Sequence, residues 1–444
     1  MISPEKMENK MYQSMKSTAV AWFIIITAIV LAQYAIYNRN RNAPVVGFLP
    51  DARIEFIGKY TVGTKQVLAK YSMPMKNFSQ LKKEFQKIQG AKRQLSTIPI
   101  LAELSGRDTA LLELKHLAEY PEEDLYNHDL QIFHQLYYKG SASLDSKQRL
   151  ALKRYGWIGK LALSQDKPDS NPERQAVLRS ASHMVILVIL FGLTGLAAVF
   201  GGLILLIIAI VLLCKGRLRS HIVIPENTGN LFLECFAIYI AGCIAMPVLI
   251  LMVAPGFHIG VVFLTVLAVL VSILWPRLRG LEWKDYNTAL GWNLGKGILR
   301  EAGAGVTGYI AGLPLILIAG ICVVIMAKYT GKLPYHPVVD KLTSSPVYLF
   351  LLACVWAPIV EETLFRGALF GYLRRSLSWG ISGIITGLIF AALHPQGWIA
   401  IPVLAVIGFN LSIIREWRGS IIAPITAHAL SNGSVVLILI LAMS

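Results

Sequence analysis

Apolar positions in this chain fall in long blocks separated by short polar turns. The blocks cover 17–37, 183–214, 231–253, 259–275, 306–327, 347–372, 380–393, 398–414 and 420–443. Most are near the ~20 residues that carry a helix across a bilayer. Residues 42–182 read differently, with apolar and polar positions mixed at helical spacing, as in Phe78-Ser79-Gln80-Leu81-Lys82-Lys83-Glu84-Phe85 and Leu130-Gln131-Ile132-Phe133-His134-Gln135-Leu136-Tyr137. Pro121, Pro168 and Pro172 punctuate that stretch. The pattern predicts an all-α fold: a polytopic transmembrane helix bundle of about nine spans, with a helical extramembrane insertion between spans one and two. The expected divisions are 1–41 (N-terminal segment and first span), 42–182 (extramembrane helices), 183–280 (spans two to four) and 281–444 (the remaining spans). The first block is longer than a signal-peptide core and ends in Tyr37-Asn38-Arg39-Asn40-Arg41, not in a small-residue cleavage site. A retained helix is expected there.

Composition agrees with a membrane protein, since 55% of the 444 residues are hydrophobic and only 15% are charged. A formal charge of +16 would suit a nucleic-acid binder, but Lys and Arg gather at the ends of apolar blocks, where they set topology. Nucleic acid is therefore not an expected partner. Lys215, Arg217, Arg219, Arg277, Arg279, Lys284, Lys296, Arg300, Arg374, Arg375, Arg415 and Arg418 share one side if the spans alternate, with Arg39 and Arg41 among the exceptions. That side is taken as cytoplasmic. The expectation is a multi-pass protein of a bacterial cytoplasmic membrane, with its N-terminus inside and 42–182 on the far side. The five cysteines lie in or beside apolar blocks, so neither a disulfide framework nor a thiolate zinc site is expected. His116, His128 and His134 lack recognisable metal-ligand spacing and read as histidines on solvated helical faces.

Ionisable groups inside a span are costly, and by default they mark a functional site. The block at 347–372 holds three: Glu361, Glu362 and Arg366. Glu362 and Arg366 are four apart and share a helical face, with the acid on the N-terminal side, as a favourable ion pair requires. Glu361 points elsewhere and has no partner on its own helix. Pro358 removes a backbone bond to Cys354 and should free a carbonyl. Two other blocks carry matching features, Phe390-x-x-x-His394 and His428-x-x-x-Asn432. Counting ~1.5 Å per residue from the basic turns puts Glu361, His394 and Asn432 at one depth, with His428 a turn shallower. Singly, such residues can serve as interhelical hydrogen bonds or packing pairs. Together they suggest a catalytic constellation or an ion pathway.

The ordered set Glu361-Glu362-x-x-x-Arg366, Phe390-x-x-x-His394 and His428-x-x-x-Asn432, with Arg418-Gly419-Ser420-Ile421-Ile422-Ala423-Pro424-Ile425 leading into the last, resembles the CPBP family of intramembrane proteases. That family includes the type II CAAX prenyl endopeptidases and the lysostaphin-resistance and bacteriocin-immunity relatives. The resemblance covers about 281–444 and is densest over 358–432. It implies an intramembrane endopeptidase acting on a membrane-associated protein or peptide, lipidated or not. Glu361 and His394 would activate water, His428 and Asn432 would face the oxyanion, and Glu362 and Arg366 would orient the first group; Phe390 would be packing. A zinc version would use Glu361, His394 and His428 as ligands. There is no His-Glu-x-x-His helix, and the metal-independent glutamate mechanism is the favoured expectation. Two rival classes are a non-proteolytic scaffold or immunity-type protein and a proton-coupled carrier. The absence of a convincing internal repeat speaks against the carrier.

Overall fold

The computed structural model describes residues 4–42, 50–73, 85, 91–119, 124–247, 250, 258–330 and 346–443. Among them there is no strand. The amphipathic pattern at 78–85 lies outside these residues apart from Phe85, as does Pro121. The chain divides into two compact units, Met1–Gly47 with Leu196–Val436 and Phe48–Gly195 with Leu437–Ser444.

In the second unit, the helices Pro50–Lys70, Ala91–Ser105, Arg107–Ala118, Asp124–Lys139, Ser146–Lys153 and Gly156–Ser164, with the start of Pro172–Cys214, close over an apolar core that includes Leu95, Ile100, Phe133 and Leu161. The pattern at 130–137 falls within Asp124–Lys139 and buries Leu130, Phe133 and Leu136. Local chemistry fixes several helix ends. Asp145 and Gln148 form a reciprocal capping box, and Gly106 and Gly140 supply left-handed turns. Arg174 grips buried Glu103 with two bonds of 3.0 and 3.1 Å.

The first unit is the membrane bundle. Six helices among the described residues are long and apolar enough to cross a bilayer: Met15–Asn38, Pro172–Cys214, Gly260–Leu278, Ile298–Thr330, Val347–Leu373 and Trp398–Arg418. Three shorter apolar helices, Leu231–Ile244, Trp379–Leu393 and Ile422–Ile438, account for the remaining blocks. The chain is an integral membrane protein. Met15–Asn38 shows how such a helix divides its faces: Ala21, Ile25 and Ala28 are buried, whereas Phe23, Ile26 and Val30 are exposed.

Hydrophobicity gives helices already in lipid little reason to associate, so close packing through small residues takes over. Trp379–Leu393 and Trp398–Arg418 meet where Gly387 faces Gly408; a Cβ on Gly408 would lie 2.8 Å from the Gly387 Cα. Ile298–Thr330 seats Gly305 against the Ala423 carbonyl, Gly308 against Ile414 and Gly312 against Asn410. Asn410 also donates to the Gly308 carbonyl at 3.1 Å.

At the basic end of the bundle, arginines that served as topology signals have specific partners. Arg418 pairs with fully buried Glu301 at 2.6 and 2.8 Å, and Arg374 pairs with Glu416 at 2.9 and 3.0 Å. Arg415 is fully buried and donates to the Ala289 carbonyl at 3.1 Å. Gly419 ends its helix at φ 67°, and Ile421 N–H then donates to the Gly291 carbonyl. This anchorage sets where the last helix, carrying His428, begins.

Replacing Gly387 by Val should lower stability by about 1–3 kcal/mol or more, because the new side chain meets the Ala405 carbonyl and the Phe409 amide. Gly303→Ala, where a Cβ meets nothing within 4 Å, should change it by no more than about 1 kcal/mol. Thermal unfolding of the purified protein in detergent would show a lowered midpoint for the first variant alone.

Candidate active site

The span Val347–Leu373 is not a continuous α-helix. It widens into π turns at Leu352–Trp356 and Thr363–Leu369, with the α-helical segment Ala357–Glu362 between them. Turns of this kind recur at functional sites. In the first, Ala357 N–H donates to the Leu352 carbonyl, five residues back. The following residue is Pro358, which has no N–H to offer Ala353 in the same register. Asn432 fills the gap, its Nδ2 donating to the Ala353 carbonyl at 2.7 Å. The α-helical count assigns the freed carbonyl to Cys354; the π turn moves it to Ala353.

Glu362 and Arg366 form the expected pair at 2.8 Å, and both are completely buried. The same carboxylate oxygen, Glu362 Oε1, lies 2.7 Å from His428 Nδ1. Arg366 spends a second N–H on the Gly408 carbonyl at 2.9 Å, which the close approach at Gly387 leaves accessible. Its guanidinium lies 4.7 Å over the Phe390 ring. Phe390 packs against the rings of Phe365, His394 and His428 at 5.2, 4.1 and 5.7 Å. It is 1% exposed, consistent with packing.

Glu361 is placed differently. Its side chain is 22% exposed, its Oε2 lies 3.9 Å from His428 Nε2, and that oxygen has no hydrogen-bond partner. His394 ends Trp379–Leu393 in an extended conformation, as the following Pro395 requires. Its Nδ1 lies 2.6 Å from the Phe390 carbonyl. A carbonyl only accepts, so the proton sits on Nδ1 and the Nε2 lone pair is free in the neutral ring. Both Glu361 and His428 lie within electrostatic reach of His394.

The structure therefore brings Glu361, Glu362, Arg366, His394 and His428 together, and holds Asn432 further along at Ala353. The uniform count had placed Asn432 level with Glu361 and His428 a turn shallower. The π turn at 363–369 advances less per residue than an α-helix and so draws Glu361 toward the basic end, which accounts for part of the difference. Among the described residues no group of three or more His, Cys, Asp or Glu side chains could hold a metal ion. As arranged, Glu361, His394 and His428 do not fit a zinc ligand set.

Two contributors escaped the sequence reading. The Gly408 carbonyl could not be foreseen, because a main-chain acceptor leaves no trace in residue type. Gln33, whose Nε2 donates to the Ala392 carbonyl at 2.5 Å, left a signal: it is the sole amide side chain in the apolar block 17–37.

Residues 343–434 match the family model described as Type II CAAX prenyl endopeptidase Rce1-like. The chain carries an Rce1-like segment. Every candidate residue from Glu361 to Asn432 lies within it. The chain is 28% identical over 139 residues to the membrane-embedded CAAX protease MroQ of Staphylococcus aureus, covering 29% of this chain and 56% of that protein. It is 30% identical over 129 residues to an uncharacterized 24.3 kDa protein of Escherichia coli, covering 26% and 59%. It is 35% identical over 88 residues to the uncharacterized protein YpbD of Bacillus subtilis, covering 19% and 41%. The chain thus spans about two fifths to three fifths of the length of these curated relatives. No solved structure gives a significant match.

Removing one member of a buried ion pair strands the other, at a cost of about 3–5 kcal/mol. Arg366→Met should destabilise the Rce1-like segment by that order, and adding Glu362→Gln should restore part of the loss. A double-mutant cycle on thermal unfolding in detergent checks the coupling; additive losses would show that the pair is not a unit.

Proposed function

We propose that this protein is an intramembrane endopeptidase that hydrolyses a peptide bond of a membrane-associated protein, with Glu361 as general base. The observation carrying this reading is the contrast between the adjacent glutamates. Each has an Oε2 without a hydrogen-bond partner, but Glu362 is sealed, with its Oε1 shared between Arg366 and His428, whereas Glu361 is partly exposed and comes no nearer than 3.9 Å to His428 Nε2, with His394 also close by. A carboxylate serving only structure would be expected to make a close ion pair or hydrogen bond, as Glu362 does through Oε1.

In this mechanism Glu361 takes a proton from a water molecule as the water oxygen attacks the scissile carbonyl carbon. The His394 Nε2 lone pair accepts the water's other hydrogen and orients the attack. The carbonyl oxygen becomes an oxyanion, which His428 meets through Nε2–H when both ring nitrogens carry protons. Glu362 then faces the imidazolium through Nδ1, much as the aspartate steadies histidine in a serine-protease triad. With His428 charged, Glu361, Glu362, Arg366 and His428 sum to zero, which suits a site poor in water. When the tetrahedral intermediate collapses, the C–N bond breaks and the proton held by Glu361 passes to the leaving amine. Asn432 steadies the broken turn through the Ala353 carbonyl, and its second amide hydrogen is available to the oxyanion side.

No step passes through a metal. The Rce1-like match and the name of the S. aureus relative support a CAAX-type protease as the parent class. The substrate proposed here is the broader one, a membrane-associated protein or peptide, lipidated or not. The N-terminus and the basic turns are placed in the cytoplasm.

The test is cleavage of a pooled library of membrane-anchored peptides by the purified protein, with and without a strong chelator. Glu361→Gln should reduce the rate by about 10²–10⁴-fold, and the chelator should leave wild type unchanged. Loss with chelator and recovery with zinc would overturn the glutamate mechanism. Indifference to replacement of Glu361, His394 and His428 would overturn the endopeptidase itself and favour a scaffold.

A further inference from the structure

We propose that Gln33, on the N-terminal span and outside the Rce1-like segment, is a positioning residue for His394. The inference rests on the reading of His394 as the group that orients water. It starts from the end of Trp379–Leu393. The last carbonyls of a helix have no partner within it and must find one elsewhere. Here the Phe390 carbonyl accepts from the His394 ring at 2.6 Å, and the Ala391 carbonyl accepts from the His394 main-chain N–H at 3.2 Å. The next carbonyl, Ala392, accepts from Gln33 Nε2 at 2.5 Å. Three successive acceptors are thus satisfied, two by His394 itself and one by a helix far away in sequence.

This arrangement fixes more than a helix end. The ring of His394 is oriented by the Phe390 carbonyl, and the direction of that carbonyl depends on the last turn keeping its shape. Without Gln33, the half-buried Ala392 carbonyl loses this donor, and the least costly response is for the turn to loosen and rotate it toward another. The Phe390 carbonyl moves with it, and the neutral ring is then free to exchange its Nδ1–H and Nε2–H forms. Only the Nδ1–H form presents a lone pair at Nε2. Gln33 sits on a largely apolar stretch of its span, with Ala28 and Ala32 buried beside it. An amide there is costly unless its hydrogen bond is made, which is why the bond to Ala392 carries weight.

The experiment uses the full-length protein in lipid nanodiscs, with Gln33→Met, which keeps length and volume but has no donor, and Thr27→Val, an exposed position on the same span, as control. Two readouts are taken: kcat and KM on a cleaved membrane-anchored peptide, and the imidazole ¹⁵N signals of histidine-labelled protein. Gln33→Met should lower kcat about tenfold, equivalent to about 1.4 kcal/mol in the barrier, with KM and the unfolding midpoint unchanged. The His394 signals should move from the Nδ1–H form to a mixture of tautomers while those of His428 stay. Thr27→Val should change neither readout. Unaltered His394 signals in Gln33→Met, or a loss confined to KM or stability, would overturn the positioning role. The spectroscopic readout needs no turnover: a tautomer shift in a protein that cleaves no peptide would sink the protease reading and leave the Gln33 contact standing.

Discussion

A single carboxylate oxygen, Glu362 Oε1, holds the centre of the membrane bundle together. It accepts from Arg366 and from His428, and Arg366 reaches on to the Gly408 carbonyl. Three helices, Val347–Leu373, Trp398–Arg418 and Ile422–Ile438, are tied through atoms that water does not reach. In an environment where apolar surface gives no preference for one neighbour over another, such a knot supplies specificity. Its donors and acceptors sit at fixed positions on three different helices, which ties their register together. The glycine contacts at Gly387 and Gly408 serve the same knot, since a side chain at either position would push the acceptor carbonyl away from Arg366.

The two adjacent glutamates show how a fold assigns different tasks to chemically identical groups. Burial and the pairing of Oε1 make Glu362 a structural counter-ion, while its neighbour, about 100° around the helix, is partly exposed and makes no closer contact than 3.9 Å to His428. A carboxylate with so few partners keeps its position only if the groups around it are independently rigid. The aromatic stack of Phe365, Phe390, His394 and His428 provides part of that rigidity, and the arginine lying over Phe390 adds to it.

Much of this was legible in the sequence, for identifiable reasons. Apolar blocks must be helices in lipid, so their count and order could be read directly. The four-residue spacing of Glu362 and Arg366 fixes their pairing on any regular helix. What could not be read depended on departures from regularity. The π turns displaced the freed carbonyl from Cys354 to Ala353 and contributed to placing His428, not Asn432, beside the glutamates. Main-chain acceptors at Gly408 and Ala392 were invisible because sequence records side chains alone. Arg374, Arg415 and Arg418 were read as charges that set topology, yet each also holds a specific partner at the end of the bundle.

The π turns on either side of Ala357–Glu362 carry a geometric consequence. Relative to an α-helix, a turn closed by five-residue bonds accommodates an additional residue, and each residue of an α-helix corresponds to about 100° of rotation. The short segment bearing both glutamates is therefore swivelled relative to the helix ends before and after it. The compass direction of Glu361 is decided by how many residues lie in the flanking turns, a quantity that deletion or insertion of one residue would change without altering any side chain at the site. For this span, chain length between fixed points is itself a determinant of where the two glutamates point.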